Sequence, residues 1–315
     1  PFIDGNPYGA VGGAVYAYDV QFNFDFESGK GFTSNIADVG GALAIDGSVE
    51  REISFETPVF SKNYAVYGGG VYLRNIILKL TNAKLSSNGF IDKVVARKGG
   101  LFYLDEGATL SLLVDMSSIL DDGSIGVTTG DGFFAQNLAT FGGAIYSAGK
   151  KVEIEYNKFQ LNSFSADFAK DFLESGTSEG AGGAIYAESG EVILRKVTIQ
   201  YNYSVYGGAV YIGGDAKLTM DTADLLREYI ESLDPSKVTD TIIEQYSNSL
   251  SDNFAKYGSQ IYYASTNEES TITYTIIQKG MQEFNTPNER GGNLYVAGGK
   301  LTLLEKTYIF GGYSK

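Results

Sequence analysis

The chain has 315 residues and contains no cysteine, no histidine and no tryptophan. Without cysteine there is no disulfide, no thiolate nucleophile and no Cys-zinc site. Without histidine the commonest general base and metal ligand is missing, and hydrolases that rely on one are excluded. No hydrophobic run is long enough to span a membrane, so direct membrane insertion is not expected. Positive charge is also short. Lys and Arg number 24 against 38 Asp and Glu, a net charge of −14. That balance argues against nucleic acid and anionic membrane surfaces as partners, and for solubility or cation binding.

What the chain has in plenty is glycine, 40 residues of it, much of it in one recurring phrase. The phrase is Gly-Gly, a small residue, an aliphatic residue and Tyr. It reads Gly12-Gly13-Ala14-Val15-Tyr16, Gly40-Gly41-Ala42-Leu43-Ala44, Gly68-Gly69-Gly70-Val71-Tyr72 and Gly99-Gly100-Leu101-Phe102-Tyr103. It returns as Gly142-Gly143-Ala144-Ile145-Tyr146, Gly182-Gly183-Ala184-Ile185-Tyr186 and Gly207-Gly208-Ala209-Val210-Tyr211. The last full copies are Gly258-Ser259-Gln260-Ile261-Tyr262 and Gly291-Gly292-Asn293-Leu294-Tyr295, with a tenth pair at Gly311-Gly312. Self-similarity at this period signals repeats that bury their apolar faces only against their neighbours.

A second phrase precedes most Gly-Gly pairs: an apolar residue, two variable positions, then Asn. It appears at Phe32–Asn35, Phe60–Asn63, Leu85–Asn88, Phe134–Asn137, Phe159–Asn162, Ile199–Asn202 and Leu250–Asn253. Asn35, Asn63, Asn137, Asn202 and Asn253 all lie five residues before their Gly-Gly. That constancy points to a turn and to a structural asparagine ladder, because Asn tolerates the left-handed conformation and its amide can bond the Asn of the next repeat. Asn202-Tyr203-Ser204 matches a glycosylation acceptor. As a ladder member, Asn202 is expected to be buried.

Between the phrases the sequence alternates, as in Val152-Glu-Ile154-Glu-Tyr156 and Lys300-Leu301-Thr-Leu303. Alternation rich in β-branched and aromatic residues predicts strands. Short strands with turn residues and no helical crossover predict an all-β chain, a right-handed parallel β-helix solenoid of about nine coils. Stacked at about 4.8 Å, these would make one domain, a rod on the order of 45 Å long. Period-2 logic turns Val15, Leu43, Val71, Phe102, Ile145, Ile185, Val210, Ile261 and Leu294 inward. It turns Tyr16, Tyr72, Tyr103, Tyr146, Tyr186, Tyr211, Tyr262 and Tyr295 outward as a possible contact ladder, broken at Ala44. The small residue two positions before each Tyr is placed outward too, beside the ring.

Three insertions are expected. Residues 114–132 read as a surface loop with Asp115, Asp121, Asp122 and Asp131. Residues 163–180 carry Phe164, Phe168 and Phe172 at helical spacing. Residues 221–249 hold two apolar stripes, Leu225, Leu226, Tyr229, Ile230, Leu233 and then Val238, Ile242, Ile243, Tyr246, separated by Asp234-Pro235. Two short helices folding back onto the strands are predicted there. Neither end carries a cap, so the segment is expected to belong to a longer protein or an end-to-end assembly.

Phe134-Ala-Gln-Asn137 followed by Gly142-Gly143-Ala144-Ile145, and Phe32-Thr-Ser-Asn35 followed by Gly40-Gly41-Ala42-Leu43, resemble the repeats of the polymorphic outer membrane proteins of chlamydiae. They also look like related repeats in large surface proteins of other bacteria and of protists. The resemblance runs from Gly12 to Gly312. It implies a right-handed parallel β-helix in a surface-exposed, extracellular passenger or stalk, usually adhesive.

The expectation for function is therefore a non-catalytic structural or adhesive surface protein with no cofactor and no metal. Its partners would be other protein subunits, packed end to end or laterally, with glycans possible. The alternative is a carbohydrate-binding protein using the Tyr ladder, or a polysaccharide-degrading one. Degradation needs clustered carboxylates, and Asp121, Asp122 and Asp131 are the one such cluster in the sequence.

Overall fold

The computed structural model describes residues 2–312 apart from 4–5, 8, 22–23, 25–29, 92–93, 114–115, 120–124, 128–131, 164–178 and 281–290. Within the described residues the chain is mostly β, and most of its strands fall into three columns of parallel, in-register neighbours.

The first column starts after each Gly-Gly. Its central residues pair as Val15–Leu43–Val71–Phe102–Ile145–Ile185–Val210–Ile261–Leu294. The second pairs Ile53–Leu78–Leu110–Val152–Val192–Leu218 and, two residues on, Met220–Ile272–Leu303. The third pairs Phe32–Phe60–Leu85–Phe134–Phe159–Ile199–Leu250–Ile277–Ile309. The first two columns belong to one 15-stranded sheet, because the long strands Leu43–Glu56 and Val71–Thr81 run through both. The third is a nine-stranded sheet of its own. The chain visits the columns in order and returns to the first at the next repeat.

Left-handed backbone makes the corners. The residue just before the ladder Asn has positive φ at Ser34, Lys62, Ser87, Gln136, Leu161, Tyr201 and Asp252. A non-glycine residue rarely adopts this region, so its recurrence at one place marks a fixed corner. The first glycine of each pair makes a second corner, with φ between 57° and 66° from Gly12 to Gly291. The second glycine is required for a different reason. A Cβ on Gly41, Gly143 or Gly183 would lie 2.1 Å from the carbonyl oxygen of the equivalent residue in the next repeat. Backbone cannot yield there, so two consecutive glycines follow from two separate constraints.

The main core lies between the sheets. Leu43, Val71, Phe102, Ile145, Ile185, Val210 and Ile261 are fully buried in it, as the alternation predicted, and Val15 and Leu294 pack against it partly buried. Fully burying each aliphatic side chain contributes roughly 1.5–3 kcal/mol. The small residues two positions before Tyr depart from the expectation. Ala42, Ala144, Ala184 and Ala209 face this same core. The cause is a local irregularity at the corner: the N–H groups of Ala144 and Ile145 both donate to the carbonyl of Ala184, and those of Ala42 and Leu43 both to Gly70. Two residues then oppose one, and period-2 counting slips across them.

The 221–249 insertion forms helices at Asp224–Ser232 and Asp240–Tyr246 joined through a 3₁₀ turn at Pro235–Lys237. Thr239 caps the second by accepting from the Ile242 N–H. Leu226, Ile230, Ile243 and Tyr246 bury against Tyr156 and Tyr274 of the strand corners, with Tyr229, Val238 and Ile242 partly buried beside them. This docking is the one the two apolar stripes predicted. In the 114–132 insertion, Met116–Ile119 and Ile125–Val127 pair antiparallel. The helix expected at 165–175 lies outside the described residues.

Candidate functional site

Two side-chain columns carry most of the polar and aromatic chemistry. The first is asparagine. Each Nδ2 donates to the Oδ1 of the next Asn: Asn35 to Asn63 at 2.9 Å, Asn63 to Asn88 at 2.9 Å, Asn88 to Asn137 at 3.0 Å, Asn137 to Asn162 at 3.0 Å, Asn162 to Asn202 at 2.9 Å and Asn202 to Asn253 at 2.8 Å. That same Oδ1 also accepts the backbone N–H of the preceding Asn, as in Asn162 N–H to Asn202 at 2.9 Å. Each interior amide further donates to a third-column carbonyl one repeat back, as Asn162 does to Phe134 at 3.1 Å. The column from Asn63 to Asn253 is fully buried. Its amide groups are spent on joining repeats, which satisfies the rule that buried polar groups must be paired. Asn202 is completely enclosed, so the folded chain presents no acceptor at that glycosylation sequence.

Equal spacing to Gly-Gly singled out five of these asparagines and missed Asn88 and Asn162. Both carried the better signal, an apolar residue three positions earlier. The longer segment that follows changes the count to the next Gly-Gly without moving the Asn.

Beyond Asn253 the column ends by an exchange of residues. Gly280 takes the place of the next Asn, three positions after Ile277. In the facing phrase Gln260 replaces the usual Ala. Its Oε1 accepts from Asn253 Nδ2 at 2.5 Å and its Nε2 donates to the Gln278 carbonyl at 3.0 Å. Asn293 repeats the device, donating to the Phe310 carbonyl at 3.0 Å. The signal was present as the departures Gly258-Ser259-Gln260 and Gly291-Gly292-Asn293.

The second column is tyrosine. Its rings stack in sequence: Tyr72–Tyr103 at 5.7 Å between centroids, Tyr103–Tyr146 at 5.1 Å, Tyr146–Tyr186 at 4.9 Å, Tyr186–Tyr211 at 4.7 Å and Tyr211–Tyr262 at 5.1 Å, and Tyr295 follows tilted by 33° at 5.0 Å from Tyr262. The rings do point away from the main core, but the outward expectation holds only in part. Tyr72, Tyr103 and Tyr146 are buried in a second apolar cluster with Val39 and Ala44. Tyr186, Tyr211, Tyr262 and Tyr295 are half-buried. Tyr16, cut off by Ala44, is 44% exposed.

What covers the rings is a file that sequence reading overlooked, the residue just before each Gly-Gly. Val11, Val39, Tyr67, Lys98, Phe141, Ala181, Tyr206 and Tyr257 align through successive parallel bridges. Phe141 meets Tyr186 edge-on at 5.7 Å, and Tyr206 meets Tyr262 likewise at 5.2 Å. Lys98 lays its ammonium 4.5 Å from the Tyr146 centroid.

The buried phenols have carboxylate partners. Tyr72 donates to Asp105 at 2.8 Å and Tyr146 donates to Glu188. Burial and then the adjacent carboxylate push both hydroxyls well above the ordinary tyrosine range. Beside them Asp46 is buried and receives Arg74 in a two-point pair at 2.8 and 2.6 Å. Those bonds hold the guanidinium charged more firmly than usual. On the second column Arg195 bridges Glu153 at 2.7 Å and Glu155 at 2.8 Å across repeats.

Asp121, Asp122 and Asp131 lie outside the described residues. Among the described residues, no three His, Cys, Asp or Glu gather as a metal site requires, and no helix is long and apolar enough to cross a membrane. Comparison with protein-family models, with curated proteins and with solved structures finds no match for the chain.

Proposed function

We propose that the three columns are the faces of a right-handed parallel β-helix and that the protein is a non-catalytic structural or adhesive rod at the cell surface. The asparagine column carries this reading. An unbroken buried run of side-chain amides, each bonded to the repeat before and after, has the form of a longitudinal tie. Stacked rings and inter-repeat ion pairs add to it in the same direction. Side chains so engaged serve cohesion along an axis, and the long lateral faces remain for contact with other protein subunits.

A carbohydrate-binding role for the tyrosines has less support. Sugar stacking needs a free ring face, and Tyr186 and Tyr211 each lie within 7° of parallel to a stacked ring on both sides. The two readings part in one pair of measurements. Antibody against residues 1–315 should label intact cells, and a glycan array should retain nothing on those rings. Labelling only after permeabilisation would refute the surface assignment. Glycan retention lost in Tyr211→Ala would favour the alternative. Electron microscopy of the purified chain should show a rod of uniform width, and a compact globule would refute the β-helix.

A further inference from the structure

The tyrosine column has a second property that cohesion does not require. From Tyr146 to Tyr262 it places four phenols face to face, with Tyr295 tilted by 33° on the last of them, and all successive centroids 4.7 to 5.1 Å apart. Phenols are among the most easily oxidised side chains, and ring contact at this range gives direct electronic overlap. Removing an electron from a phenol also requires a place for its proton. Tyr146, the buried end of this run, has one: its hydroxyl donates to the Glu188 carboxylate. Tyr186, Tyr211, Tyr262 and Tyr295 are half-buried, so each keeps some contact with solvent.

The surroundings give the run a direction. The Lys98 ammonium lies over the Tyr146 and Tyr103 rings and makes electron loss there more costly. The ring contacts of Tyr186, Tyr211, Tyr262 and Tyr295 are with other aromatic rings. The flanking file offers no detour around Tyr186, because it holds Phe141 and Ala181 at that level, and neither is readily oxidised.

We propose that the tyrosine column conducts one-electron oxidising equivalents, moving a phenoxyl radical from buried Tyr146 to the half-exposed rings Tyr211, Tyr262 and Tyr295. The initiating species is an external one-electron oxidant, of the kind a photogenerated ruthenium(III) polypyridyl supplies. It takes one electron from Tyr146 and is reduced to ruthenium(II), while the phenolic proton passes to Glu188. Next, Tyr186 gives one electron to the Tyr146 radical and its own proton to water. Tyr146 recovers its proton from Glu188, leaving the carboxylate as it began. In each later step one electron moves inward, the donor phenol gives its proton to solvent, and the reduced ring takes one proton back from solvent. The radical comes to rest where soluble reductants, or a tyrosine of another chain, can reach it. The apolar core is thereby spared.

The absence of cysteine makes the test clean, since one introduced thiol is unique. Lys150→Cys, four residues after Tyr146 and exposed, carries a ruthenium polypyridyl label. Flash oxidation is run with a persulfate quencher and a nitroso spin trap, and trapped tyrosines are mapped by mass spectrometry. The expected result is adducts at Tyr211, Tyr262 and Tyr295. In Tyr186→Phe the stack keeps its shape but loses its oxidisable link, and those adducts should vanish. Tyr206 lies against Tyr262 at 5.2 Å, so the second block removes both rings, and Tyr206→Phe/Tyr211→Phe should confine adducts to Tyr186. Circular dichroism of each variant checks that the β structure persists. Unchanged adducts at Tyr262 and Tyr295 in both variants, or no adducts at Tyr211, Tyr262 and Tyr295 in the parent, overturn the proposal.

Discussion

Replacing Asn137 by alanine tests whether the asparagine column is the tie that joins the repeats. Asn137 Oδ1 accepts the Asn88 backbone N–H at 3.1 Å and Asn88 Nδ2 at 3.0 Å. Its own Nδ2 donates to the Leu85 carbonyl at 3.1 Å and to Asn162 Oδ1 at 3.0 Å. Alanine removes all four bonds. Asn88 Nδ2 keeps the Phe60 and Ser86 carbonyls, and Asn162 Oδ1 keeps the Asn137 N–H. The Asn88 N–H and the Leu85 carbonyl lose these partners in a site with no exposed surface. A buried group left unpaired costs about 1–3 kcal/mol, so Asn137→Ala should cost roughly 3–5 kcal/mol. Asn35→Ala is the internal control. Asn35 is partly exposed and its side chain makes one ladder bond, so its loss should cost about 1 kcal/mol. Urea denaturation measures both, and amide exchange locates the damage. In a stacked array the loss should appear as fast exchange around Asn88, with distant repeats still protected. If Asn137→Ala costs no more than Asn35→Ala, or exchange at Asn88 stays slow, the column is not what holds neighbouring repeats together.

Gly183→Ala should destabilise by about 1–3 kcal/mol or more, since the new Cβ would sit 2.1 Å from the Gly208 carbonyl oxygen and 2.6 Å from that of Tyr203. Gly298→Ala, whose Cβ meets nothing nearer than 3.7 Å, should be tolerated, and thermal melts of the two variants make the comparison. Lys196 makes one long hydrogen bond, to the Ser247 carbonyl at 3.4 Å, and burial lowers its pKa from 10.5 to about 8. Between those values the unfolded chain holds a proton the folded chain has released, so stability from this group rises with pH from about 8 to 10.5, and the penalty is complete below 8. Lys196→Met should remove a penalty of roughly 3 kcal/mol at pH 7 and flatten that rise, as melting temperature against pH will show. Equal pH slopes in parent and variant would refute the assignment.

Sequence periodicity by itself determined the strands, the inward aliphatic column and the seat of the helical insertion. These follow from local rules: side chains alternate along a strand, apolar stripes mark a helix face, and the first Gly of each pair sits where the backbone turns left-handed. The Asn expectation is off by one, since the residue before each ladder Asn makes that left-handed corner. Val71, Ile185 and Ile243 are legible because their burial depends on their own element. The tertiary structure alone decided the rest. The Ala184 and Ala209 column faces the core because two N–H groups share one carbonyl, which no one-strand count registers. Tyr72 and Tyr146 are buried because rings from neighbouring repeats and the residues before Gly-Gly close over them, a contact between positions 25 or more residues apart. Asn88 and Asn162 join the ladder for the same reason. Loops change distance along the chain without changing height in the stack, so position between repeats is set by hydrogen-bond register.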